Sequence, residues 1–102
     1  MDLRFEWDRR KATINAAKHR VSFEEALTVF SDALARIFDD PDHSGAEARE
    51  IIIGHSNKER LLIVCFTERG DAIRLFSDRK ATKRERGDYE KGKRQARARG
   101  QG

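Results

Sequence analysis

The sequence predicts an α+β fold in which an antiparallel sheet packs against helices. Three features carry this prediction: a short alternating segment at the N-terminus, two helix-like segments before residue 32, and a series of closely spaced β-rich segments after it. Helices grouped ahead of sequential strands favour an α+β arrangement over alternating βαβ units. The predicted element order is β-α-α-β-β-β-β-α. The 102 residues suffice for one domain, which we place at residues 1–90, followed by a basic, disordered tail at 91–102.

The N-terminal segment predicts a strand followed by a capped helix. Apolar and charged residues alternate from Leu3 to Asp8, which indicates a half-buried strand at residues 2–7. The Asp8 carboxylate can accept hydrogen bonds from backbone N–H groups one turn further on. We therefore expect a helix over residues 9–19 that begins at this cap.

A second helix and a short strand come next. Ser22 to Glu25 form an S-x-x-E capping box, and apolar residues follow from Phe23 at helical spacing. This helix should end near residues 31–32. Residues 33–38 then predict a short strand, and the segment 39–45, which holds the only proline, predicts a loop.

The second half of the chain predicts a hairpin-rich sheet. A β-branched run at residues 50–54 indicates a strand, and a polar connection leads to the apolar run at 61–66. That run is continuous, so we expect a central strand covered on both faces. Gly70 and Asp71 supply a tight turn into a last strand at 72–76.

The charge distribution indicates an anionic partner at the C-terminal end. Residues 1–78 hold 12 Lys/Arg and 15 Asp/Glu, whereas residues 79–102 hold 10 and 3, a balance of +7. A second capping box, Thr82 to Glu85, predicts a third helix that ends near Glu90. Nucleic acid is the first candidate partner and an acidic protein the second, and a solvated basic tail is the alternative.

Composition excludes several classes of protein. Cys65 is the only cysteine, so no internal disulfide can form, and we expect this residue to be inert core. No apolar segment approaches the length of a membrane span, and the N-terminus lacks the apolar region of a signal peptide. We therefore expect a cytoplasmic protein without membrane contact. His43, His55 and Cys65 lack metal-ligand spacing, and no cofactor motif is present, so we predict neither metal nor cofactor.

The hairpin around Gly70 predicts one candidate site. Glu68 and Arg69 place a carboxylate beside a guanidinium, a pair that could remove the 2′-hydroxyl proton of RNA and stabilise charge on its phosphate. The alternative is an ordinary solvated pair at a turn. We expect this hairpin to bring further cations to the same region, namely Arg74, Arg79 and Lys80.

Two more groups of residues could contact phosphate. Arg79, Lys80, Lys83 and Arg84 are predicted at the start of the third helix, where free N–H groups attract anions; a solvated face is the alternative. An imidazole can exchange protons near neutral pH, so His19 could act as an acid or base. A simple partner of the helix dipole is the alternative for His19.

A series of short motifs resembles the BrnT family, toxins of bacterial type II toxin–antitoxin systems. The motifs cover residues 5–90, and their order and spacing together are more specific than any one of them. They are FEWD at 5–8, KH at 18–19, VSFEEA at 21–26, VF at 29–30, DxxHS at 40–44, IIIGHS at 51–56, TERGDAIR at 67–74 and RKATKRERxxYE at 79–90.

The resemblance implies a RelE-like fold and a metal-independent ribonuclease that inhibits translation. It implies a BrnA-like antitoxin with a ribbon-helix-helix DNA-binding domain, through which the complex would reach operator DNA. It also implies roles for particular residues. The catalytic group would be Glu68, Arg69, Arg79 and His19, and the RNA-binding residues Lys18, Lys80, Lys83 and Arg84. Independently of the resemblance, Arg74 alternates with apolar neighbours, so it should point away from the core and could contact phosphate or be solvated.

Three positions depart from the family pattern. Arg20 replaces a glycine, which bears on the turn that would place His19, and Ala33 replaces a proline. Asp78 replaces a small residue, and a carboxylate there could lower RNA affinity or orient Arg79. The alternative function is a non-catalytic nucleic-acid-binding or co-repressor module that acts through its basic C-terminal end.

Overall fold

The computed structural model describes residues 3–44 and 48–100, without the side chains of 41–44 and 93–100. Its elements along the chain are β1 (Arg4–Glu6), α1 (Arg9–His19), α2 (Phe23–Leu27), a 3₁₀ turn (Thr28–Ser31), β2 (Arg36–Ser44), β3 (Ala48–His55), β4 (Leu61–Arg69), β5 (Ala72–Lys80) and α3 (Lys83–Gly100). The predicted α+β class is confirmed. The 3₁₀ turn is an element that the sequence patterns did not indicate.

The five strands form one mixed sheet in the order β1-β5-β4-β3-β2. Strands β2 to β5 pair antiparallel, whereas β1 pairs in parallel with residues 72–74 of β5. The prediction of a wholly antiparallel sheet was therefore wrong at its edge. The chain from β1 passes through α1 and α2 before it enters the sheet again, and this long connection lets the first strand lie beside the last one in parallel.

The capping predictions hold at all three helices. Asp8 Oδ1 accepts from Lys11 N at 3.0 Å, and Ser22 Oγ accepts from Glu25 N at 3.1 Å. At the end of α1, Arg20 takes a left-handed conformation with φ of 58° and donates to Ala16 O. Glycine is favoured in this conformation. Arg20 therefore forms the turn that a glycine would form, but with local backbone strain.

The two faces of the sheet differ in how they are covered. Helices α1 and α2 and the 3₁₀ turn cover one face, where Phe23 and Val29 pack with Val64 and Phe66 in the main core. On the other face, Tyr89 of α3 packs over one end, against Ile53 and Leu61. The remainder of this second face, called the open face below, is not covered by a helix in the described part of the chain.

Three predicted boundaries were wrong. Strand β2 continues through Ser44, across residues that were predicted as a loop, because they pair with β3 around a bulge between Asp39 and Ser44; Gly45 lies outside the described residues. Strand β5 continues to Lys80, so Arg79 and Lys80 belong to a strand and not to the start of a helix. Helix α3 continues past Glu90, while the division into a domain at 1–90 and a tail at 91–102 stays a prediction.

The turn between β4 and β5 is the one that the sequence indicated. Gly70 adopts a φ of +60° in the β4–β5 hairpin, the conformation that such a turn requires. Among the described residues, no helix has the length and apolarity needed to cross a membrane.

Candidate active site on the open face of the sheet

The predicted catalytic residues lie in two separate places. Glu68 pairs with Ile73 near the tip of the β4–β5 hairpin, whereas Arg79 pairs with Ile63 toward its other end. Five residues of strand separate these positions along β4, a distance of about 17 Å. The expectation that the hairpin brings Glu68, Arg69, Arg79 and Lys80 to one region was therefore wrong, because the strand register decides it.

Glu68 and Arg69 form an exposed end of β4 beside Gly70. Glu68 borders a shallow surface depression together with Arg4 and Asp71, which form an ion pair at 3.0 Å. Burial and then the Glu68 charge raise the pKa of Glu50 on the neighbouring strand. Glu68 thus lies near a second carboxylate, that of Glu50, and the two groups attract the same kind of charge.

A groove where the open face meets the β5 edge brings together two predicted residues, His19 and Arg79, with three that were not predicted. Helix α1 contributes Lys11 and His19, strand β3 contributes Arg49, and strand β5 contributes Phe76 and Arg79. The floor consists of Ile51, Ile63 and Cys65, and one acidic residue, Asp40, lies beside Cys65. This surface, called the basic groove below, combines one imidazole with four cationic or aromatic side chains.

The helical repeat explains why Lys11 and His19 reach the same groove. They lie four residues before and four residues after Asn15, so the three side chains share one face of α1. Asn15 is buried, and it fastens this face to strand β5 at Asp78. Residues 11 and 19 then lie one turn to either side of the attachment.

The attachment consists of reciprocal hydrogen bonds between Asn15 and Asp78. Asn15 Nδ2 donates to Asp78 Oδ1, and the Asp78 backbone N–H donates to Asn15 Oδ1 at 3.2 Å. Asn15 Nδ2 also lies 3.4 Å from the Val21 carbonyl. Because β1 pairs only with residues 72–74, the outer edge of β5 is open at this point, and Asn15 satisfies its backbone there.

Asp78 does not act as the sequence suggested. Asp78 borders the groove, but it is only 1% exposed and bonded to Asn15, so it offers little carboxylate surface to a ligand there. Burial raises the pKa of Asp78 to about 7. Among the described residues, its Oδ2 has no hydrogen-bond partner, so Asn15 alone compensates the carboxyl group for its lost hydration.

Arg79 is held in place by an acidic residue of α3. Its Nη1 and Nη2 donate to the two Glu85 oxygens at 2.8 and 2.9 Å, and the same carboxylate accepts from Thr82 N in the predicted capping box. These hydrogen bonds, with that from Arg79 first, lower the pKa of Glu85 to about 2. Because guanidinium has five N–H groups, Arg79 can be fixed by Glu85 and still donate to a phosphate.

The other predicted RNA-binding residues surround the groove without lining it. Lys18 is exposed beside His19 at the end of α1, and Lys80, Lys83 and Arg84 are exposed near Arg79 where β5 leads into α3. Arg74 instead lies 3.9 Å from Glu6 of β1. The predicted RNA-binding residues are therefore split among three places. Three lie near Arg79, Lys18 lies beside His19, and Arg74 lies next to β1.

Cys65 lies on the groove floor and not in the helix-covered core, which corrects its predicted location. Burial, followed by the nearby Asp40 charge, raises the pKa of this thiol to about 11, so it is protonated and unreactive near neutral pH. In the described part of the chain, no group of three His, Cys, Asp or Glu side chains could hold a metal ion.

Sequence patterns did not identify Lys11, Arg49 and Phe76 as site residues. The spacing of Lys11, Asn15 and His19 was visible as one helical face and could have indicated Lys11. Arg49 and Phe76 enter the groove through strand register and a bulge, which no local pattern encodes.

The cations Lys11, Arg49 and Arg79 in this groove produce a local positive potential that attracts anions. The sequence profile of a family described as ribonuclease toxin, BrnT, of type II toxin–antitoxin system matches residues 7–85. The chain therefore belongs to the BrnT family of ribonuclease toxins.

A solved structure agrees with this assignment. The crystal structure of the Brucella abortus ribonuclease toxin BrnT is similar to this chain with a TM-score of 0.62 and 27% sequence identity. The similarity covers 80% of this chain and 100% of the Brucella protein. No curated protein sequence matches the chain.

Proposed function

We propose that this protein cleaves RNA in the basic groove, with His19 and Arg79 at the reacting phosphate and Lys11 as a further phosphate contact. The observation that carries the proposal is that His19 and Arg79, sixty residues apart in sequence, line one groove. Both belong to the group that the family resemblance indicates. Family membership supports the reaction class, and the shared groove supports this location for it.

The reaction needs a proton acceptor and positive charge at the phosphate. In this proposal the neutral His19 imidazole takes the proton of the 2′-hydroxyl, and the 2′-oxygen forms a bond to phosphorus. The bond from phosphorus to the 5′-oxygen breaks, and that oxygen takes a proton from solvent. The products are a 2′,3′-cyclic phosphate and a 5′-hydroxyl end. Arg79 and Lys11 stabilise the negative charge of the transition state, so no metal ion is required.

Glu68 and Arg69 have a different place in this proposal. Their position at the hairpin tip, about 17 Å from Arg79 along the strand, suits contact with a more distant part of the RNA or with another macromolecule. The exposed Lys18, Lys80, Lys83 and Arg84 would guide the RNA backbone toward the groove. Arg74, paired with Glu6, would contribute only after release from that pair.

The cellular role follows the type II system to which the family belongs. We propose that the toxin inhibits translation by cutting RNA in the cytoplasm, in a RelE-like manner. A BrnA-like antitoxin with a ribbon-helix-helix domain would neutralise it and carry the complex to operator DNA. The antitoxin is a protein in systems of this type, and the basic end of the chain, with a balance of +7 in residues 79–102, suits acidic segments of such a partner.

Cleavage of labelled RNA in EDTA tests the catalytic proposal. We expect His19→Gln to lower the cleavage rate about 100- to 10,000-fold, as for loss of a general base, and Arg79→Gln to lower it strongly as well. Glu68→Gln and Arg69→Ala serve as matched variants at the other end of the hairpin and should change the rate only a few-fold. The reverse pattern would place the chemistry at the hairpin tip.

The non-catalytic alternative is favoured by one observation, the concentration of positive charge in the last 24 residues. It predicts RNA or DNA binding that weakens steeply with salt, without cleavage by any variant. Binding that is unaffected by His19→Gln, together with intact RNA after long incubation in both EDTA and magnesium, would support it over the ribonuclease.

A further inference from the structure

Phe76 lies in the basic groove because of an irregularity between β4 and β5. Cys65 pairs with Ser77 and Phe66 pairs with Leu75, so Phe76 is the extra residue of a bulge. Bulges change the direction of a side chain, and here the ring lines the groove in company with His19 and Arg79. Phe76 belongs to neither of the two apolar clusters of the fold, so core packing does not account for it.

Two cations lie over the Phe76 ring. The Arg49 guanidinium carbon lies 4.0 Å from the ring centroid, and Lys11 Nζ lies 5.8 Å from it. Cation–π contacts of this length stabilise the position of a partly exposed ring. An aromatic ring and a planar guanidinium are thus held together beside the proposed reacting groups.

This combination suits a nucleobase. Proteins hold single-stranded RNA by stacking bases on aromatic rings and on arginine planes, while neighbouring cations contact the phosphates. A ring without cations would suit any apolar ligand, and cations without a ring would suit any anion. Both occur together here, next to the imidazole that the proposed cleavage uses.

We propose that the Phe76–Arg49 pair is a base-stacking subsite, which holds a nucleobase next to the scissile phosphate of a single-stranded RNA. The inference rests on the proposed ribonuclease function and deepens it by naming how the substrate is positioned. Phe76 and Arg49 act on the base by stacking, whereas His19 and Arg79 act on the phosphate.

The test compares two RNA probes. One is a fluorescein-labelled octanucleotide whose 2′-O-methyl groups prevent cleavage, and the other is the same backbone with abasic positions. We expect the wild-type protein to bind the base-containing probe about 5- to 150-fold more tightly, the range for one to three kcal/mol of stacking. Phe76→Leu should remove most of this preference while it retains affinity for the abasic probe.

Two further variants complete the test. Phe38→Leu is the matched control, because Phe38 is an exposed ring (52%) on the same sheet face that does not line the basic groove; it should keep the wild-type preference. Arg49→Lys keeps the charge and removes the planar group, so it should reduce the preference for the base-containing probe without changing salt-dependent affinity for the abasic probe. If Phe76→Leu does not fold, Arg49→Lys tests the subsite by itself.

Equal binding of the two probes by wild type, or an unchanged preference in both Phe76→Leu and Arg49→Lys, would overturn the subsite. Cleavage of unmodified RNA is measured separately. Cleavage without base preference would reject the subsite and retain the ribonuclease. Base preference lost in Phe76→Leu, without cleavage by wild type, would support the subsite and reject the chemistry.

Discussion

At the scale of single residues, the fold uses a buried carboxyl group to place the proposed catalytic histidine. Asp78 is hydrogen-bonded to Asn15 on the face of α1 that also carries His19. Burial is the main cause that raises its pKa to about 7; the Glu25 and Glu24 charges add to the shift, while the Asn15 hydrogen bond and Arg60 oppose it. Protonation of Asp78 is therefore coupled to the stability of the folded state.

The coupling predicts a pH dependence of a definite sign. Between about pH 4 and pH 7 the folded state holds the Asp78 proton while the unfolded chain does not, so this contribution to stability falls as pH rises and becomes constant above pH 7. Asp78→Asn keeps an acceptor for Asn15 and removes the titration. We expect the difference in free energy of unfolding between this variant and wild type to grow by on the order of 2–4 kcal/mol from pH 4 to pH 8. Urea unfolding measures it.

Glu85→Gln is the control for this experiment because its linkage has the opposite sign. The pKa of Glu85 is lowered to about 2, so its contribution is present above about pH 4.5 and is lost as pH falls toward 2. The difference in free energy of unfolding between Glu85→Gln and wild type should therefore be constant from pH 5 to pH 8. A constant difference for Asp78→Asn over the same range would show that Asp78 is ionised in the folded protein.

At the scale of elements, one buried ion pair joins α2 to the turn between β3 and β4. Glu25 is 4% exposed and accepts from Arg60 Nε at 2.8 Å and from Ser56 Oγ at 2.6 Å. The hydrogen bond from Arg60 is the main cause that lowers the pKa of Glu25, so the carboxylate is charged. The capping box of α2 is therefore one-sided, since its glutamate binds another element.

Loss of one partner should cost more than loss of both. Arg60→Met leaves the Glu25 charge buried and short of its main partner, and we expect it to lower the free energy of unfolding by about 3 kcal/mol. The double variant Glu25→Gln with Arg60→Met should cost less than that. Lys58→Met is the control, because Lys58 lies 4.0 Å from Glu25 but is exposed. A double variant less stable than Arg60→Met would contradict this account of the pair.

At the scale of the whole molecule, local patterns predicted the elements better than their assembly. The caps at Asp8 and Ser22 and the turn at Gly70 depend on neighbours within four residues, so the sequence displays them directly. The separation of Glu68 from Arg79, the bulge at Phe76 and the extension of β2 beyond Asp39 depend on which residues face each other across strands. Register results from packing of the whole sheet, so the sequence could indicate His19 and Arg79 individually but not the groove that they share.

The whole molecule also has an uneven distribution of charge along the chain. The proposed domain at residues 1–90 contains the buried clusters and the basic groove, whereas residues 93–102 add four Lys/Arg and no acidic residue. Gly92 of α3 packs against the Arg36 side chain, so a chain that ends after Gly92 keeps this contact. Long-range attraction to RNA and cleavage in the groove should thus be separable.

Truncation after Gly92 tests this separation. We expect cooperative unfolding with a nearly unchanged midpoint and an RNA cleavage rate at saturating substrate within a few-fold of the full chain. Affinity for single-stranded RNA should fall, and the slope of log K against log salt should decrease by up to about 3, since each phosphate contact contributes about 0.7. The matched control is the full-length chain with Lys93, Arg94, Arg97 and Arg99 replaced by Gln, which removes the same four charges without shortening the chain. A truncated protein that loses cooperative unfolding would show that residues 93–102 belong to the folded domain, because packing contacts and not charge would then have been removed.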